Sequence, residues 1–412
     1  MSLLNGVLGL LSPFSKRKVP ILIPITTMVL LLNCLSKLFT LCLNERLTKF
    51  AISEEQTAFR EGYSTMDNAF VLNELIHLYL HKHKRLYCCF IDYQKAFDTI
   101  NRSALLGKII ENGINGKILR VIYNMYDSAK SYVKQQSMMS GLFACNVGVR
   151  QGENLSPFLF AIFLNDFETS LSSKYNGLTT VTDLSRLLST DDINFFINMY
   201  TLLYADDTLV LAESPEEMQL ALNGVGDYCH KWGLSINQTK TKVVIFSRGK
   251  VKKKHYFKIG NIDIDTSSEY EYLGILFNFN GSFGKAIDER ITPARKAMFG
   301  LNEKAANLLL PPDIHIELFE KMITPILLYG SEVWGYGNVE PLEIFYRAFI
   351  KRVLGLNKNT PNCIVYGEVG KYPVVHSIHL RMISFWIKIS EGKHTKLSSI
   401  IYRLIFKLHM NE

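Results

Sequence analysis

The stretch TLLYADDTLVLA, residues 201–212, places two adjacent aspartates between two apolar runs. Both runs are rich in residues that favour strands, so the pattern predicts a β-hairpin with Asp206 and Asp207 at its turn. An Asp-Asp pair at such a position also fits a solvated hairpin tip, because aspartate favours turns. The stretch therefore predicts the hairpin and leaves the role of its two acids open.

A second apolar run that ends in an acid lies more than a hundred residues upstream. LYCCFI, residues 86–91, reads as a short buried strand, and Asp92 follows it directly. A lone carboxylate is costly to bury, so something must compensate for the acids at these strand ends. Two divalent cations about 3.5–4 Å apart, held by shared carboxylates, would do so, and Mg²⁺ suits oxygen ligands and phosphates. In nucleotidyl transfer such a pair of ions activates a 3′-hydroxyl and neutralises the leaving pyrophosphate, while the solvated hairpin tip stays the alternative for these acids taken alone.

The rest of the chain alternates helical and strand patterns around these acids. Ser64 or Thr65 is available as the N-cap of the first helix, and a capping box of Ser214 and Glu217 opens a helix that Gly233 ends. The predicted helices are Asp67–Leu80, Ser103–Asn112, Asn115–Ala129, one opened by Pro157, one over 215–232, and most of the chain after about residue 285. The predicted strands include a hairpin around Gly141, Leu234–Ile236, Val243–Phe246, Phe257–Ile264 and Tyr272–Phe277. This order favours an α+β fold over a doubly wound sheet.

The composition excludes disordered and collagenous chains. Of 412 residues, 48% are hydrophobic, and 46 Lys and Arg against 38 Asp and Glu give a net charge of +8, which is compatible with a polyanionic partner without requiring one. The seven cysteines form no C-x-x-C pair, so the sequence predicts neither a disulfide framework nor a zinc ribbon. Reduced thiols indicate an intracellular protein, located in the nucleus, the cytoplasm or both.

An uncharged segment near the N-terminus, residues 19–36, follows the basic run Lys16-Arg17-Lys18. It is similar to a weak signal anchor, and the alternatives are a membrane span with its basic end in the cytoplasm or a segment that packs in a core. Two prolines, an asparagine and a length at the bottom of the spanning range argue against the span. We do not expect this segment to cross a membrane.

Five segments follow one another along the chain: FIDYQKAFDTI (90–100), GVRQGENLSPFLFAIFLND (148–166), LLYADDTLVLAE (202–213), WGLSINQTKTKVVIF (232–246) and YLG (272–274). Taken in this order, they resemble the reverse transcriptase motifs of non-LTR (LINE-type) retrotransposons. QTAFREGYSTMDNAF (56–70) is similar to the fingers segment before the catalytic strand, and ITPILLYGSEVWG (323–335) is similar to a segment after the thumb-like region. The resemblance runs from about Leu32 to about Pro373.

The resemblance implies a right-hand polymerase with fingers, a ferredoxin-like antiparallel palm and a helical thumb. The implied regions are an atypical apolar N-terminal segment (1–31), fingers and palm (32–275), and a helical thumb-like and C-terminal region (276–412). The implied activity is RNA-directed DNA synthesis by two-metal transfer from a dNTP to a primer 3′-hydroxyl. The implied partners are an RNA template, a DNA primer or target, dNTPs and two Mg²⁺ ions, for which Mn²⁺ could substitute, with no organic cofactor.

The resemblance also assigns the catalytic groups. Asp92, Asp206 and Asp207 match the metal-binding carboxylates, and the main-chain carbonyl of Tyr93 is a further candidate ligand. Lys240 and Lys242 in INQTKTK flank the position of a lysine that protonates departing pyrophosphate in this family, and Lys240 is the favoured candidate. A lysine between two strands also fits a solvated turn.

Three residues match the family's nucleotide-binding positions. Phe97 matches a steric gate that excludes a ribose 2′-hydroxyl and so implies deoxynucleotide preference; a core aromatic is the alternative. Gln151 and Gly152 match positions that border the nascent base pair, and an ordinary loop-to-helix cap is the alternative. Glu153 stands where many relatives carry aspartate.

Other residues match primer and template positions. Tyr204 is expected near the primer end, and Tyr272, Leu273 and Gly274 match the primer-grip hairpin. Arg60 is a candidate phosphate or template contact. A basic cluster with aromatics, residues 250–258, contacts phosphates, forms a solvated loop, or acts as a nuclear-localisation-like run.

The N-terminal region departs from the family pattern. A fingers strand with a basic residue that reaches the triphosphate is expected before the helix at 31–40, and PILIPITTMV stands there instead. The chain lacks room for the family's N-terminal endonuclease and shows no Cys/His knuckle after residue 363, so it resembles a polymerase fragment of a larger product. The alternatives are a catalytically inactive retroelement remnant that only binds nucleic acid and, last, a membrane-anchored protein. The intact acids argue against decay of the palm.

Overall fold

The computed structural model describes most of the chain. The described residues are 8–13, 28–31, 34–50, 56–127, 129–135, 138–150, 152–175, 177–178, 201–249, 255–392 and 396–411. The strands are β1 (Leu8–Pro13), β2 (Met28–Leu31), β3 (Leu86–Ile91), β4 (Lys130–Gln135), β5 (Met138–Met139), β6 (Phe143–Ala144), β7 (Thr201–Tyr204), β8 (Asp207–Ala212), β9 (Lys242–Phe246), β10 (Phe257–Ile259), β11 (Ile262–Ser267), β12 (Glu269–Tyr272) and β13 (Ile275–Asn278). The helices are α1 (Cys34–Leu47), α2 (Thr65–His81), α3 (Ala96–Thr99), α4 (Arg102–Glu111), α5 (Gly116–Asp127), α6 (Ser156–Phe163), α7 (Phe167–Ser172), α8 (Pro215–Trp232), α9 (Gly284–Asn307), α10 (Pro312–Met322), α11 (Thr324–Leu327), α12 (Ser331–Trp334), α13 (Glu340–Val353), α14 (Asn362–Val369), α15 (Val374–Ser390) and α16 (Leu397–Asn411).

A six-stranded sheet in the order β10-β11-β9-β3-β8-β7 corresponds to the palm that the resemblance implies. β3 lies between β8 and β9 and pairs antiparallel with both, and all six of its residues are buried. Alternate β3 residues pack into two different apolar cores, Cys88 and Phe90 into one and Cys89 and Ile91 into the other. Because helices cover both faces of the sheet, β3 is a continuous apolar run rather than an alternating one.

The two cores divide the helices between them. One core contains α2, the β12–β13 hairpin and the C-terminal helices from α9 onward, and the other contains α4 to α8. Because helices and strands are mixed and the sheet is largely antiparallel, the α+β prediction is confirmed. The boundaries at residues 31 and 275 stay predictions.

Most predicted elements are present, among them α2, β3, the 201–212 hairpin and α8. The Ser214 hydroxyl accepts the Glu217 N–H as the N-cap of α8, while the Glu217 carboxylate accepts the N–H of Glu213 instead of Ser214. At the other end of α8, Gly233 has φ +70°, the left-handed conformation that suits glycine.

Some predicted strands differ from the structure. Leu234–Ile236 is not a strand; Ile236 makes only an isolated bridge to Tyr93, because this segment wraps around the end of β3. The predicted strand Phe257–Ile264 is a hairpin, β10 and β11, reversed at Gly260, where φ is +56°. The predicted strand Tyr272–Phe277 is also interrupted, because the chain reverses at Leu273 and Gly274 between β12 and β13. The sheet also departs from a purely antiparallel palm, because β9 and β11 pair in parallel.

The N-terminal region is only partly described. β1 pairs antiparallel with β2 and parallel with β4. Within the candidate span 19–36, residues 19–27 and 32–33 lie outside the described residues, and so does most of PILIPITTMV (20–29). Across the described ranges, none of the helices combines the length and the apolar character needed to cross a bilayer.

A buried ion pair ties the C-terminal helix α16 to α2. The ammonium of Lys396, just before α16, lies 2.8 Å from a carboxylate oxygen of Asp67, and the two side chains are 6% and 2% exposed. The same ammonium donates to the Gly62 carbonyl and lies 4.8 Å from the centre of the Tyr63 ring. The Ser398 hydroxyl donates to Asp67 as well, so the last helix is fixed by a polar network in an otherwise apolar interface.

Candidate active site

The palm sheet brings the three predicted acids to one edge. The last residue pair between β3 and β8 is Ile91 and Thr208. Asp92 directly follows Ile91, and Asp207 directly precedes Thr208, so the two acids lie at the same end of the paired strands. β7 and β8 form the predicted hairpin, closed by the pair Tyr204 and Asp207. The two loops that carry acids in the sequence therefore meet where β3 ends.

The turn of this hairpin has a strained conformation that a buried side chain stabilises. Ala205 has φ +56°, which is uncommon for a residue other than glycine. The amide of Gln56, a completely buried residue, accepts the Ala205 N–H at 3.0 Å and donates to the Ala205 carbonyl at 3.4 Å. Thr57 and Asn68 bind the carbonyl of Leu203 in the same hairpin. The segment from 56 onward thus fixes the turn that holds Asp206 and Asp207.

Negative charge accumulates at this edge. Loss of hydration, and after it the nearby charges of Asp206 and Asp92, together raise the pKa of Asp207 to about 6, while Lys240 opposes them. Loss of hydration and the charge of Asp92 also raise the pKa of Asp206. Such shifts mean that the ionised carboxylates repel one another, a state that a bound cation would relieve.

The loop between α8 and β9 encloses Asp92. Asn237 donates its side-chain amide to one carboxylate oxygen of Asp92 at 2.9 Å and its N–H to the Asp92 carbonyl at 2.8 Å. The Asp92 N–H donates to the Thr241 hydroxyl, and the Lys240 ammonium lies 3.6 Å from the other carboxylate oxygen. The rotamer of Asp92 is therefore set by neighbours on both sides, and one of its oxygens faces a lysine.

The main chain around Tyr93 is held by the same loop. The bridge between Tyr93 and Ile236 uses the N–H of Gln94 and the carbonyl of Asp92, so neither of its two hydrogen bonds involves the Tyr93 carbonyl. The Tyr93 ring is buried, 4% exposed. This geometry leaves the Tyr93 carbonyl outside the bridge, as its predicted role as a ligand requires.

The donor chemistry at this edge fits a divalent cation. Carboxylate and carbonyl oxygens are the ligands that Mg²⁺ and related ions prefer, and the pKa values of Asp206 and Asp207 are raised by loss of hydration first and by neighbouring carboxylates second. Across the described ranges, no three His, Cys, Asp or Glu side chains already lie together as a compact metal-binding group. The fit therefore rests on the type of donors and their mutual repulsion.

The predicted nucleotide-binding residues lie on two segments that are bound to each other. Phe97 is half-buried and stacks on Phe160 of α6 at a ring-centre distance of 4.6 Å, so the core-aromatic alternative describes part of its environment. Its carbonyl accepts the N–H of Val149, which leads to the exposed Gly152, where φ is +89°. Gln151 lies outside the described residues.

The adjoining loop is anchored independently of Phe97. Gly148 has φ +77°, and a Cβ there would stand 2.5 Å from the Asp98 carbonyl oxygen, so only glycine allows this approach. The Arg102 guanidinium donates to carbonyls of the same loop, those of Val147 and Gly148. Glu153 is buried and accepts the hydroxyl of Tyr126, which gives the glutamate a supporting role.

The primer and template candidates lie on segments that contact β3 or belong to or contact the β7–β8 hairpin. Tyr204 precedes the turn of Ala205, and Arg60 donates to the carbonyl of Gln56. Tyr272 is buried next to Phe90, and Leu273 and Gly274 form the turn between β12 and β13.

The basic cluster is only partly described, because residues 250–254 lie outside the described residues. Lys258 is exposed and pairs with Asp263 at 3.3 Å, while Phe257 is buried and Tyr256 is 76% exposed. The role of the basic cluster stays a prediction.

Three supporting residues were not singled out from the sequence: Gln56, Asn237 and Thr241. Each lies in a segment that carries the resemblance, but a Gln, Asn or Thr in a loop has no pattern that distinguishes support from exposure. Their supporting roles depend on contacts with residues 145 to 149 positions away.

Replacing Gln56 with methionine tests the support of the Ala205 turn. The variant keeps the volume and removes both hydrogen bonds, leaving the Ala205 N–H and carbonyl without these partners. We expect a loss of about 1–3 kcal/mol in the free energy of unfolding, the cost of an unsatisfied buried polar group. Urea unfolding measures it, and the matched control is Gln219→Met, which removes a similar pair of hydrogen bonds, to the Lys258 N–H and carbonyl, at a site where water can replace them. An equal loss in both variants would contradict the role of Gln56.

Curated relatives of the chain are retrotransposon polymerases. The chain is 23% identical over 322 residues to "RNA-directed DNA polymerase from mobile element jockey" of Drosophila funebris, covering 76% of this chain and 33% of that protein. It is 24% identical over 329 residues to the Pol polyprotein from retrotransposable element R2 of Popillia japonica, covering 75% and 43%. A probable polymerase from transposon BS of Drosophila melanogaster is 25% identical over 343 residues, covering 76% and 34%. The chain thus spans about a third to two fifths of these relatives.

Solved structures similar to the chain include telomerases. Apo telomerase from Candida tropicalis gives a TM-score of 0.42 at 14% identity, covering 89% of this chain and 61% of that chain. Telomerase from Candida albicans in complex with a fragment of telomeric RNA gives 0.41 at 14% identity, covering 90% and 55%.

The family described as "Reverse transcriptase (RNA-dependent DNA polymerase)" matches residues 26–277, more than half of the chain. That range contains β3, the hairpin of Asp206 and Asp207, and the loop that encloses Asp92. With the non-LTR relatives, this match confirms the resemblance and the expected right-hand polymerase class. The chain therefore belongs to the reverse transcriptase family.

Proposed function

We propose that this chain synthesises DNA on an RNA template by adding dNTPs to a primer 3′-hydroxyl. The observation that carries the proposal is the convergence of Asp92, Asp206 and Asp207 at the end of β3, with the pKa of Asp207 raised to about 6 by lost hydration and by the two other carboxylates. A group of carboxylates that repel one another at a sheet edge is suited to hold divalent cations. The substrates, the partners and an intracellular site of action, in the nucleus or cytoplasm, belong to the same proposal.

The three aspartates, with the Tyr93 carbonyl, would hold two Mg²⁺ ions. When bound, these ions lower the pKa of the attacking hydroxyl and neutralise charge on the phosphates. Asn237 and Thr241 keep Asp92 in one orientation, and Gln56 keeps the turn of Asp206 in place. Positioning of this kind is a large part of what an enzyme contributes to phosphoryl transfer.

Lys240 is the proposed proton donor to pyrophosphate. Its ammonium lies 3.6 Å from Asp92 and its side chain is 67% exposed, so it can leave the carboxylate when substrate arrives. An exposed ammonium on a loop that contacts Asp92 is placed to reach a leaving group near the same acids.

Primer extension tests the proposal. The purified chain is given a DNA primer on an RNA template, dNTPs and Mg²⁺, with EDTA in a parallel reaction. We expect extension that depends on the template and stops with EDTA. If the chain binds the primed template but never extends it, a nucleic-acid-binding remnant replaces the enzyme.

Replacing Phe97 with valine tests the proposed choice between dNTPs and rNTPs. A smaller side chain opens the space that a ribose 2′-hydroxyl would occupy. It also removes the ring stacking between residue 97 and Phe160. We expect the preference for dNTPs over rNTPs to fall by about ten- to a hundredfold, the range in which a steric contact rejects one added group. Single-nucleotide insertion kinetics measure it. Tyr123→Val, at a half-exposed aromatic of α5, should keep the wild-type preference, and an unchanged ratio in Phe97→Val would assign Phe97 to the core alone.

A further inference from the structure

The segment ITPILLYGSEVWG, residues 323–335, has no role in the proposed chemistry and lies beyond the range that the family matches. In the structure it forms α11, a short reversal at Gly330 with φ +81°, and α12. This reversal packs against the β12–β13 hairpin, whose turn matches the primer grip.

Tyr329 makes the contacts between the reversal at Gly330 and the β12–β13 hairpin. Its hydroxyl donates to the Leu273 carbonyl at 3.0 Å and lies 3.3 Å from the hydroxyl of Thr65 at the start of α2. A Cβ added to Gly274 would stand 2.9 Å from the Tyr329 ring, so the ring closes directly on the turn. One side chain thus connects the turn to α2.

The turn needs such support because of its backbone. Leu273 has φ +49° and Gly274 has φ +77°, two successive left-handed residues, the first of which carries a branched side chain. A residue other than glycine keeps this conformation only where its surroundings hold it.

Tyr329 is itself held in place. The indole N–H of Trp334 donates to the Tyr329 carbonyl at 3.0 Å. A Cβ on Gly330 would stand 2.7 Å from Ile275, the first residue of β13, so the reversal and the strand are in close contact. The residues of the YGSEVWG part of the segment therefore act together on the hairpin.

We propose that Tyr329 is a positioning residue for the primer 3′ end, acting through the turn of Leu273 and Gly274. The inference rests on the proposed function, because it takes this turn as the primer grip. It also assigns a role in the site to the region after residue 277, which lies outside the range that the family matches.

The test compares Tyr329→Phe, which removes only the hydroxyl, with Tyr336→Phe. Tyr336 loses an equivalent hydroxyl contact, to His77, away from the turn. The probe is a primer with a photoactivatable 4-thiothymidine at its 3′ end, annealed to RNA, and the crosslinked peptide is identified by mass spectrometry. Duplex affinity and extension kinetics are measured on the same samples.

We expect the wild-type crosslink to fall within residues 272–274. In Tyr329→Phe its yield should drop about three- to tenfold, the equivalent of one lost hydrogen bond, with duplex affinity within twofold. The rate of primer extension should fall by a matching factor, and the KM for dNTPs should stay unchanged. Tyr336→Phe should match the wild type in every measurement.

The outcomes separate the two proposals. Equal yields in Tyr329→Phe and wild type, or a wild-type crosslink elsewhere or absent, would overturn the positioning role of Tyr329. If none of the proteins extends the primer while the crosslink still weakens in Tyr329→Phe, the polymerase proposal fails and the positioning role stands.

Discussion

Replacing Asp206 and Asp207 together with asparagine is expected to lower primer extension by at least about a thousandfold. Cations bound at these carboxylates would contribute several kcal/mol to the stability of the transition state, and each 1.4 kcal/mol corresponds to a factor of ten in rate. Asparagine keeps the size of the side chain and removes the charge that attracts the ions. Extension under single-turnover conditions measures the loss.

The same variant should fold at least as well as the wild type. Lost hydration and mutual repulsion raise the pKa values of both acids, so their ionised forms weaken the folded state around neutral pH. Removing the charges should leave the melting temperature unchanged or higher in the absence of divalent ions. Asp227→Asn, at an exposed acid of α8 that is 71% accessible, is the matched control and should retain full extension. Extension within tenfold of wild type in the double variant would show that these acids do not bind the catalytic ions.

Replacing Lys396 with methionine is expected to cost about 3–5 kcal/mol in the free energy of unfolding. The change leaves Asp67 as a buried carboxylate without its cation, and breaking a buried pair by removing one partner is costly in this range. The Gly62 carbonyl and the Tyr63 ring lose the ammonium as well. Chemical unfolding, followed by the fluorescence of the three tryptophans, measures the cost.

Two further variants define the origin of this cost. Lys258→Met breaks an exposed pair with Asp263, which should cost less than about 1 kcal/mol because water screens it. Adding Asp67→Asn to Lys396→Met should recover part of the lost stability, since the uncompensated charge is then gone. If the double variant loses as much stability as Lys396→Met and Asp67→Asn lose separately when added together, the two residues act independently.

The sequence predicted the parts of the fold that depend on short patterns. The run LYCCFI, the two acids between apolar runs, and the Ser214 and Gly233 ends of α8 each have a local physical cause, and all are present. The strands Leu234–Ile236 and Phe257–Ile264 failed for a related reason. An apolar run shows that a segment is buried but does not show whether it continues straight or reverses, as it does at Gly260.

The candidate site was predictable in its acids and not in its supports. Acids after buried strands are unusual enough to stand out, whereas Gln56, Asn237 and Tyr329 are ordinary residues until the fold brings them to Ala205, Asp92 and Leu273. Such pairings join residues 56 to 149 positions apart. A single sequence contains no local signal for contacts at that distance.

The position of β3 at the centre of the palm has a consequence during protein synthesis. Its partners β8 and β9 begin at residues 207 and 242, so the apolar run with its two cysteines emerges from the ribosome well before anything can pair with it. At ordinary translation rates of about 5–20 residues per second, that interval is on the order of 10 s. An unpaired apolar strand favours aggregation, so we expect fast expression to lower the yield of this chain more than that of proteins built from local contacts.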